Sequence, residues 1–290
     1  MNGSSHARSR FSREPQRKRL VIGERDIEML TDLYHHRAMS RRQVQDLYFT
    51  SVARCNFRLR QLYDHGFLSR HYPPVAPYGA EAIYSVGAAG VRVLAAETGA
   101  EPADIRRQCR PSTYLEHTLR VVDFYLAARR ATHDNEQVKI ELWLPEIPCR
   151  HEYRIRQKGD TGWSTEVFKP DGFLRLQGRE RHDFFLEMDL GHTSSRQFVW
   201  KLDSYARYVE SGMFAQRFGS ETFTTLVVTT GERRLANLSK LIGKFAVSDF
   251  ALTTLNAMNA QVTEGSDSSL SGFLGPIWFS PSETGPQSLI

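Results

Sequence analysis

The chain has 290 residues, enough for one large domain or two ordinary ones, and its 40 % hydrophobic and 24 % charged residues are usual for a water-soluble globular protein. No run approaches the ~18 consecutive apolar residues of a membrane-spanning helix. The arginine-rich start has no apolar core, so no secretory signal is expected. The three cysteines, Cys55, Cys109 and Cys149, are isolated and odd in number. Reduced thiols and a cytoplasmic setting are expected, with neither a disulfide framework nor a zinc site.

The net charge of +5 is unevenly spread. Residues 1–75 hold 14 Lys and Arg against 7 Asp and Glu, while the remainder holds 24 against 26. A basic module on a near-neutral body calls for a polyanionic partner. Part of the excess lies in residues 1–19 (Arg8, Arg10, Arg13, Arg17, Lys18, Arg19), a polar stretch without hydrophobic period that reads as a disordered basic arm.

From Glu24 the apolar residues Ile27, Leu30, Leu33 and Tyr34 recur at helical spacing, which predicts a helix over 24–36. Ser40-Arg41-Arg42-Gln43 fits a capping box opening a second helix. Ser51 can cap a third, with Val52, Cys55, Leu59 and Leu62 as its apolar stripe and Gly66 as its stop. Phe67–Arg70 and Ile83–Val86 read as two short strands around a loop with Pro73-Pro74 and a turn at Gly79. Three helices followed by two strands predict a winged helix-turn-helix over 20–97, its fourth helix running from Ala88 to Glu97. A linker is expected at 98–111.

The third helix would enter duplex DNA. With its apolar stripe spent on the other helices, it has Arg54, Arg58 and Gln61 at i, i+4, i+7 on the opposite face, flanked by Asn56 and Arg60. Arg, Asn and Gln pair bidentately with purine edges in the major groove. Arg41 and Arg42 suit phosphate contacts, and Arg70 and His71 suit a wing contact. The competing reading is a solvated basic face on a unit that binds only protein.

Residues 112–262 read as an α/β domain: a helix over 113–130, strands over 139–144, 169–176 and 182–190, a helix over 195–211, a strand over 222–230 and a helix over 232–244. Residues 263–290 form a Ser- and Gly-rich tail with one apolar cluster, Phe273–Phe279, expected to dock. His35, His36, His182 and His192 lack metal-ligand spacing, so surface or capping roles are expected.

Pro170-Asp171 at one strand start and Glu187-Met188-Asp189 at the next strand end resemble the PD-(D/E)xK nuclease pattern. That resemblance implies a restriction-endonuclease-like order of helix, three strands, helix, strand. It further implies a divalent metal, Mg or Mn, on Asp171 and Glu187. Asp189 stands where that pattern has its lysine, and suits only a third metal ligand. Lys201, between Phe198 and Tyr205 on the next helix, is aimed toward the sheet and offers a displaced catalytic lysine. Glu116 matches an acid that such folds carry on their first helix, but Thr113-Tyr114-Leu115-Glu116 is itself a capping box.

The two halves together resemble the replication-relaxation family of bacterial plasmid and mobile-element proteins. The resemblance is carried by Arg25-Asp26-Ile27, Arg58-Leu59-Arg60-Gln61-Leu62, Gly66–Arg70, Tyr84-Ser85-Val86 and Gly90. In the second half it is carried by Glu116–Leu119, Pro170-Asp171-Gly172, Phe185–Asp189 and Lys201–Tyr205. It implies a double-stranded DNA-binding accessory protein in replication, DNA relaxation or transfer, working with other replication or transfer proteins or as a homodimer, with no membrane role. Two alternatives stay open: a metal-dependent endonuclease using Asp171, Glu187 and Lys201, and a winged-helix regulator of its own element.

Overall fold

The computed structural model describes residues 12–15, 19–73, 81–110, 114–133, 135–156, 162–246, 248–260, 272–283 and 285–290. Most of the expected basic arm, the turn around Gly79, Thr113 and the stretch 261–271 lie outside the described residues. The chain forms two compact units, Met1–Val122 and Asp123–Ile290.

The first unit opens with α1 (Glu24–His36), where Asp26 Oδ2 accepts the Gly23 N–H at 2.9 Å. A two-residue strand β1 (Met39–Ser40) leads into α2 (Arg41–Tyr48). Ser40 Oγ accepts the Gln43 N–H at 3.2 Å and Gln43 accepts the Ser40 N–H in return at 2.9 Å, so the capping box forms as its sequence predicts. Next come α3 (Val52–Asp64), β2 (Leu68–His71), β3 (Ile83–Val86) and α4 (Ala88–Thr98). β3 lies between β1 and β2, antiparallel to both. Met29, Leu30, Leu33, Val44, Cys55, Leu59, Leu62 and Leu68 are fully buried among these elements. Burying each such side chain contributes about 1.5–3 kcal/mol. Gly90 on α4 is required by close approach, since a Cβ there would stand 2.4 Å from the Phe67 carbonyl oxygen.

Four features depart from the sequence reading. β1 is too short to leave a periodic signal. Val52, expected in the α3 stripe, is 51 % exposed. Half of the stretch expected as a linker is a further helix, α5 (Pro102–Gln108), opened by Pro102. Within the expected disordered arm, Arg13 donates to the Leu68 carbonyl at 3.2 Å and the Glu14 N–H donates to Asp64 at 3.0 Å.

Helix α6 (Leu115–His133) begins in the first unit and ends in the second. Then follow β4 (Lys139–Pro145), α7 (Glu146–Cys149), and an antiparallel ribbon of β5 (His151–Arg156) and β6 (Trp163–Phe168). After them come β7 (Gly172–Gln177), β8 (Arg181–Asp189), α8 (Ser195–Glu210), α9 (Met213–Phe218) and β9 (Thr224–Thr229). The unit closes with α10 (Glu232–Phe245), β10 (Asp249–Thr254), α11 (Leu255–Asn259), a 3-10 turn at Gly272–Leu274, β11 (Trp278–Phe279) and β12 (Pro286–Gln287).

Seven strands form one mixed sheet in the order β12-β11-β10-β9-β8-β7-β4. β7 is antiparallel to both β4 and β8, whereas β8, β9 and β10 run parallel. The parallel pairs require the crossover helices α8 and α10. On one sheet face Phe173 and Phe185 pack with Phe198, Leu202, Tyr205 and Tyr208 of α8 and with Leu235, Leu238 and Ile242 of α10. Trp143 of β4 meets Phe124 of α6 at 5.8 Å between ring centroids. That ring also explains Gly172, where a Cβ would come within 2.6 Å of Trp143. The tail cluster docks as expected: Trp278 is buried, and β11 adds itself to the edge of β10.

Candidate functional site

Two groups of candidate residues exist, one in each unit. On α3, Cys55, Leu59 and Leu62 turn inward, while Arg54, Asn56 and Arg60 are exposed. The acid on this helix, Asp64, is buried, and Arg60 Nε lies 3.9 Å from it. Arg58 does not share the open face. Its Nε donates to Asp26 Oδ1 at 2.9 Å, its Nη2 to the Val21 carbonyl at 2.7 Å, and its side chain is only 17 % exposed. Arg58 Nη1 also donates to Gln61 Oε1 at 3.1 Å, which engages the second expected reader. Arg58 is therefore a brace between α3 and the start of α1. Asp26 shows the effect: burial raises its pKa, but the Arg58 hydrogen bond, the Gly23 N–H and the arginine charges outweigh that and hold it below its ordinary value.

The other basic candidates divide similarly. Arg42 is exposed on the first turn of α2, and its backbone N–H donates to Glu81 at 2.7 Å. Arg41 Nε lies 3.4 Å from the same carboxylate. The Arg70 guanidinium stacks over Tyr63 at 4.0 Å, alongside Arg13 at 4.7 Å from that ring. His36, expected in a surface or capping role, is buried. Burial, followed by the neighbouring His35, pushes its pKa down to about 3, so its ring is neutral.

In the second unit the register of β7 and β8 places Gly172 opposite Leu186, Phe173 opposite Phe185 and Arg175 opposite Asp183, and the N–H of Asp171, just before β7, donates to the Leu186 carbonyl at 2.9 Å. Asp171, Glu187 and Asp189 are all buried. Asp171 Oδ2 accepts the Met188 N–H at 2.8 Å. The Asp171 and Glu187 carboxylates are near enough to repel. The chain answers with Lys201 of α8, whose amine bonds Glu187 Oε2, while the Tyr205 hydroxyl donates to Glu187 Oε1 at 2.9 Å. Lys201 lies on the same helix as the buried Phe198 and Tyr205, and its amine reaches β8.

Burial raises the Glu187 pKa, and Asp171 adds to the rise while Lys201 and Tyr205 oppose it. For Lys201, burial of the amine lowers the pKa, but Glu187, Asp171 and Asp189 together raise it above the ordinary lysine value. Both net shifts are upward, so the site holds its protons tightly and Lys201 stays charged.

Asp189 does not join this group as a ligand. Arg234 of α10 grips it, with Nη2 2.6 Å from Oδ2 and Nε 3.3 Å from Oδ1, and the Gly191 N–H donates to Oδ1 at 2.7 Å. Arg234 escaped the sequence reading because it follows β9 and has no motif spacing to Asp189. Among the described residues no group of three or more His, Cys, Asp or Glu is arranged to hold a metal ion. Both oxygens of Glu187 and of Asp189 already accept bonds from protein donors, and Lys201 supplies positive charge where a cation would sit. This donor set does not fit the divalent metal that the nuclease resemblance implies.

Glu116, on the first turn of α6, lies 3.9 Å from Arg120 in an i, i+4 pair. No helix among the described residues is long and apolar enough to cross a membrane.

A family model described as replication-relaxation matches residues 30–224, more than half of the chain, and the chain belongs to that family. No curated protein and no solved structure matches it.

Proposed function

We propose that the first unit is a winged helix-turn-helix that binds double-stranded DNA through α3, and that the protein is an accessory factor in the replication, relaxation or transfer of a plasmid or other mobile element. The observation that carries this reading is the face of α3. Arg54, Asn56 and Arg60 stand open on a helix whose acid is buried. Three helices followed by an antiparallel strand pair support the same reading, because in this arrangement the last helix enters the major groove and the strands flank it. Arg42 at the start of α2 supplies a phosphate contact, which positions the domain without reading sequence. The test is retention of a random-sequence duplex pool by the full chain at low salt. Enrichment of one motif over successive rounds is the expected result, and failure to retain any duplex rejects the proposal.

The second unit, in this account, is a restriction-endonuclease-like frame serving as a scaffold for a protein partner or a second copy. Asp171 and Glu187 are held by Lys201 as a neutralised cluster. An endonuclease reading keeps one supporting observation, the meeting of Asp171, Glu187 and Lys201. Nicking of supercoiled DNA that needs Mg²⁺ or Mn²⁺ and is lost in Asp171→Ala would establish that reading in place of the scaffold.

A further inference from the structure

The open face of α3 has an apolar centre. At 3.6 residues per turn, successive side chains are ~100° apart. Ala53, Phe57 and Arg60 therefore share one strip, with Arg54 on one side of it and Asn56 on the other. Phe57 is 66 % exposed and Ala53 is also open, while Val52 beside them is 51 % exposed. A phenylalanine at the middle of a solvent face forgoes the stabilisation that burial would give it. The residues around it are cationic or amide-bearing, and the one acid of the helix is buried.

We infer that Ala53 and Phe57 are base-reading residues that meet the 5-methyl groups of thymines in the major groove. The inference rests on the proposal that α3 enters DNA, and it names what the helix reads there. The thymine methyl is the apolar group that a base pair presents on the major-groove floor, and Ala and Phe are side chains that contact it. Arg60 continues the strip toward the end of the helix and Arg54 stands at its side, so cationic groups lie next to the apolar pair as phosphates lie next to the groove floor. Arg58 and Gln61, occupied with Asp26 and with each other, leave purine recognition to Arg54 and Asn56. Ala53 and Phe57 are four residues apart, about 6 Å along the axis. That is less than two base-pair steps of about 3.4 Å. The recognised duplex accordingly has thymines at neighbouring or next-neighbouring pairs, beside a purine.

The experiment uses the full chain and the duplex it selects from a random-sequence pool, prepared once with thymine and once with deoxyuridine in its place. Removing each methyl that the helix touches is expected to weaken binding about fourfold. Phe57→Ala is expected to weaken binding to the thymine duplex and to lose discrimination between the two duplexes. Because Phe57 is exposed, its replacement leaves the core intact, and an unchanged melting temperature checks this. If the chain selects a duplex but binds both forms equally, the methyl-reading inference is overturned while DNA binding by α3 stands. If no duplex is selected, the underlying proposal fails. If Phe57→Ala leaves duplex binding unchanged but abolishes self-association, the strip is a protein interface and the inference is overturned.

Discussion

The open face of α3 and the β7–β8 edge both collect charge, and they treat it in opposite ways. On α3, Arg54 stands in water and Arg60 has only a 3.9 Å approach to Asp64. Along β8, every second residue from Asp183 to Asp189 except Phe185 is an acid, and each acid is buried with a cation: Arg175 for Asp183, Lys201 for Glu187 and Arg234 for Asp189. A charge left in water at little cost is free to meet a polyanion. A charge taken out of water must be matched inside, and its contribution goes to holding one arrangement of strands and helices. Arg58 makes the same point within a single helix. One turn after Arg54, it serves Asp26 instead of the surface.

The contrast is broken most directly by removing an internal partner. Asp183→Ala takes from the buried Arg175 guanidinium its bidentate carboxylate partner and leaves it the Phe218 carbonyl at 2.7 Å as a hydrogen-bond acceptor. Loss of about 3–5 kcal/mol of stability is expected, read from denaturant unfolding. A loss below about 1 kcal/mol would mean that water reaches the arginine.

Arg58→Ala is expected to cost about 3 kcal/mol, toward the lower limit for a buried pair because Arg58 is 17 % exposed. The folded variant should still bind DNA. The pH profile sharpens this case. Asp26 has a folded pKa below its ordinary 3.8, so its contribution is complete above that value and is lost as pH falls through the lowered one. Arg58→Ala should flatten this acid limb. Unchanged acid unfolding would show that Arg58 does not govern Asp26.

At the second site, Lys201→Met removes the cation that opposes the upward shift of Glu187. The folded state would then hold a proton that the unfolded chain releases. Stability should therefore fall as pH rises from the ordinary glutamate value of 4.5, more steeply than in the parent chain. A parallel profile would mean that Tyr205 alone sustains the carboxylate. The smallest effect on stability is expected from Arg54→Ala, within about 0.5 kcal/mol, because this side chain holds no buried group.

Much of this is legible in the chain itself. Helices with strong caps and a single apolar face, such as α2 behind Ser40 and α8 behind Ser194, declare themselves through local rules. So does the antiparallel neighbourhood of β7 and β8, because two strand-like runs are joined by a short turn. What escapes depends on distant partners. β10 is a six-residue, mostly buried run that passes straight into α11 with no Gly or Pro between them. In the β5–β6 ribbon the second strand, Trp163-Ser164-Thr165-Glu166-Val167-Phe168, lacks strict apolar and polar alternation, so it gives little period from which to name a strand. The inward turn of Arg58 requires knowing that Asp26 lies across from it, 32 residues earlier. Periodicity puts Arg58 on the polar side of α3, but only the tertiary structure distinguishes polar side chains that face water from those that face an acid.

The central claim is that the open arginines of α3 bind duplex DNA. It is tested most directly by the salt dependence of duplex affinity for the full chain and for its Arg54→Ala, Arg60→Ala variant. An arginine that pairs with a base edge should cost about 1–3 kcal/mol of binding when it is removed. An arginine that neutralises a phosphate should, when it is removed, lower the slope of log affinity against log salt by about 0.9. The account predicts weaker binding with an unchanged melting temperature. Equal affinity and equal slope in the two proteins would contradict it.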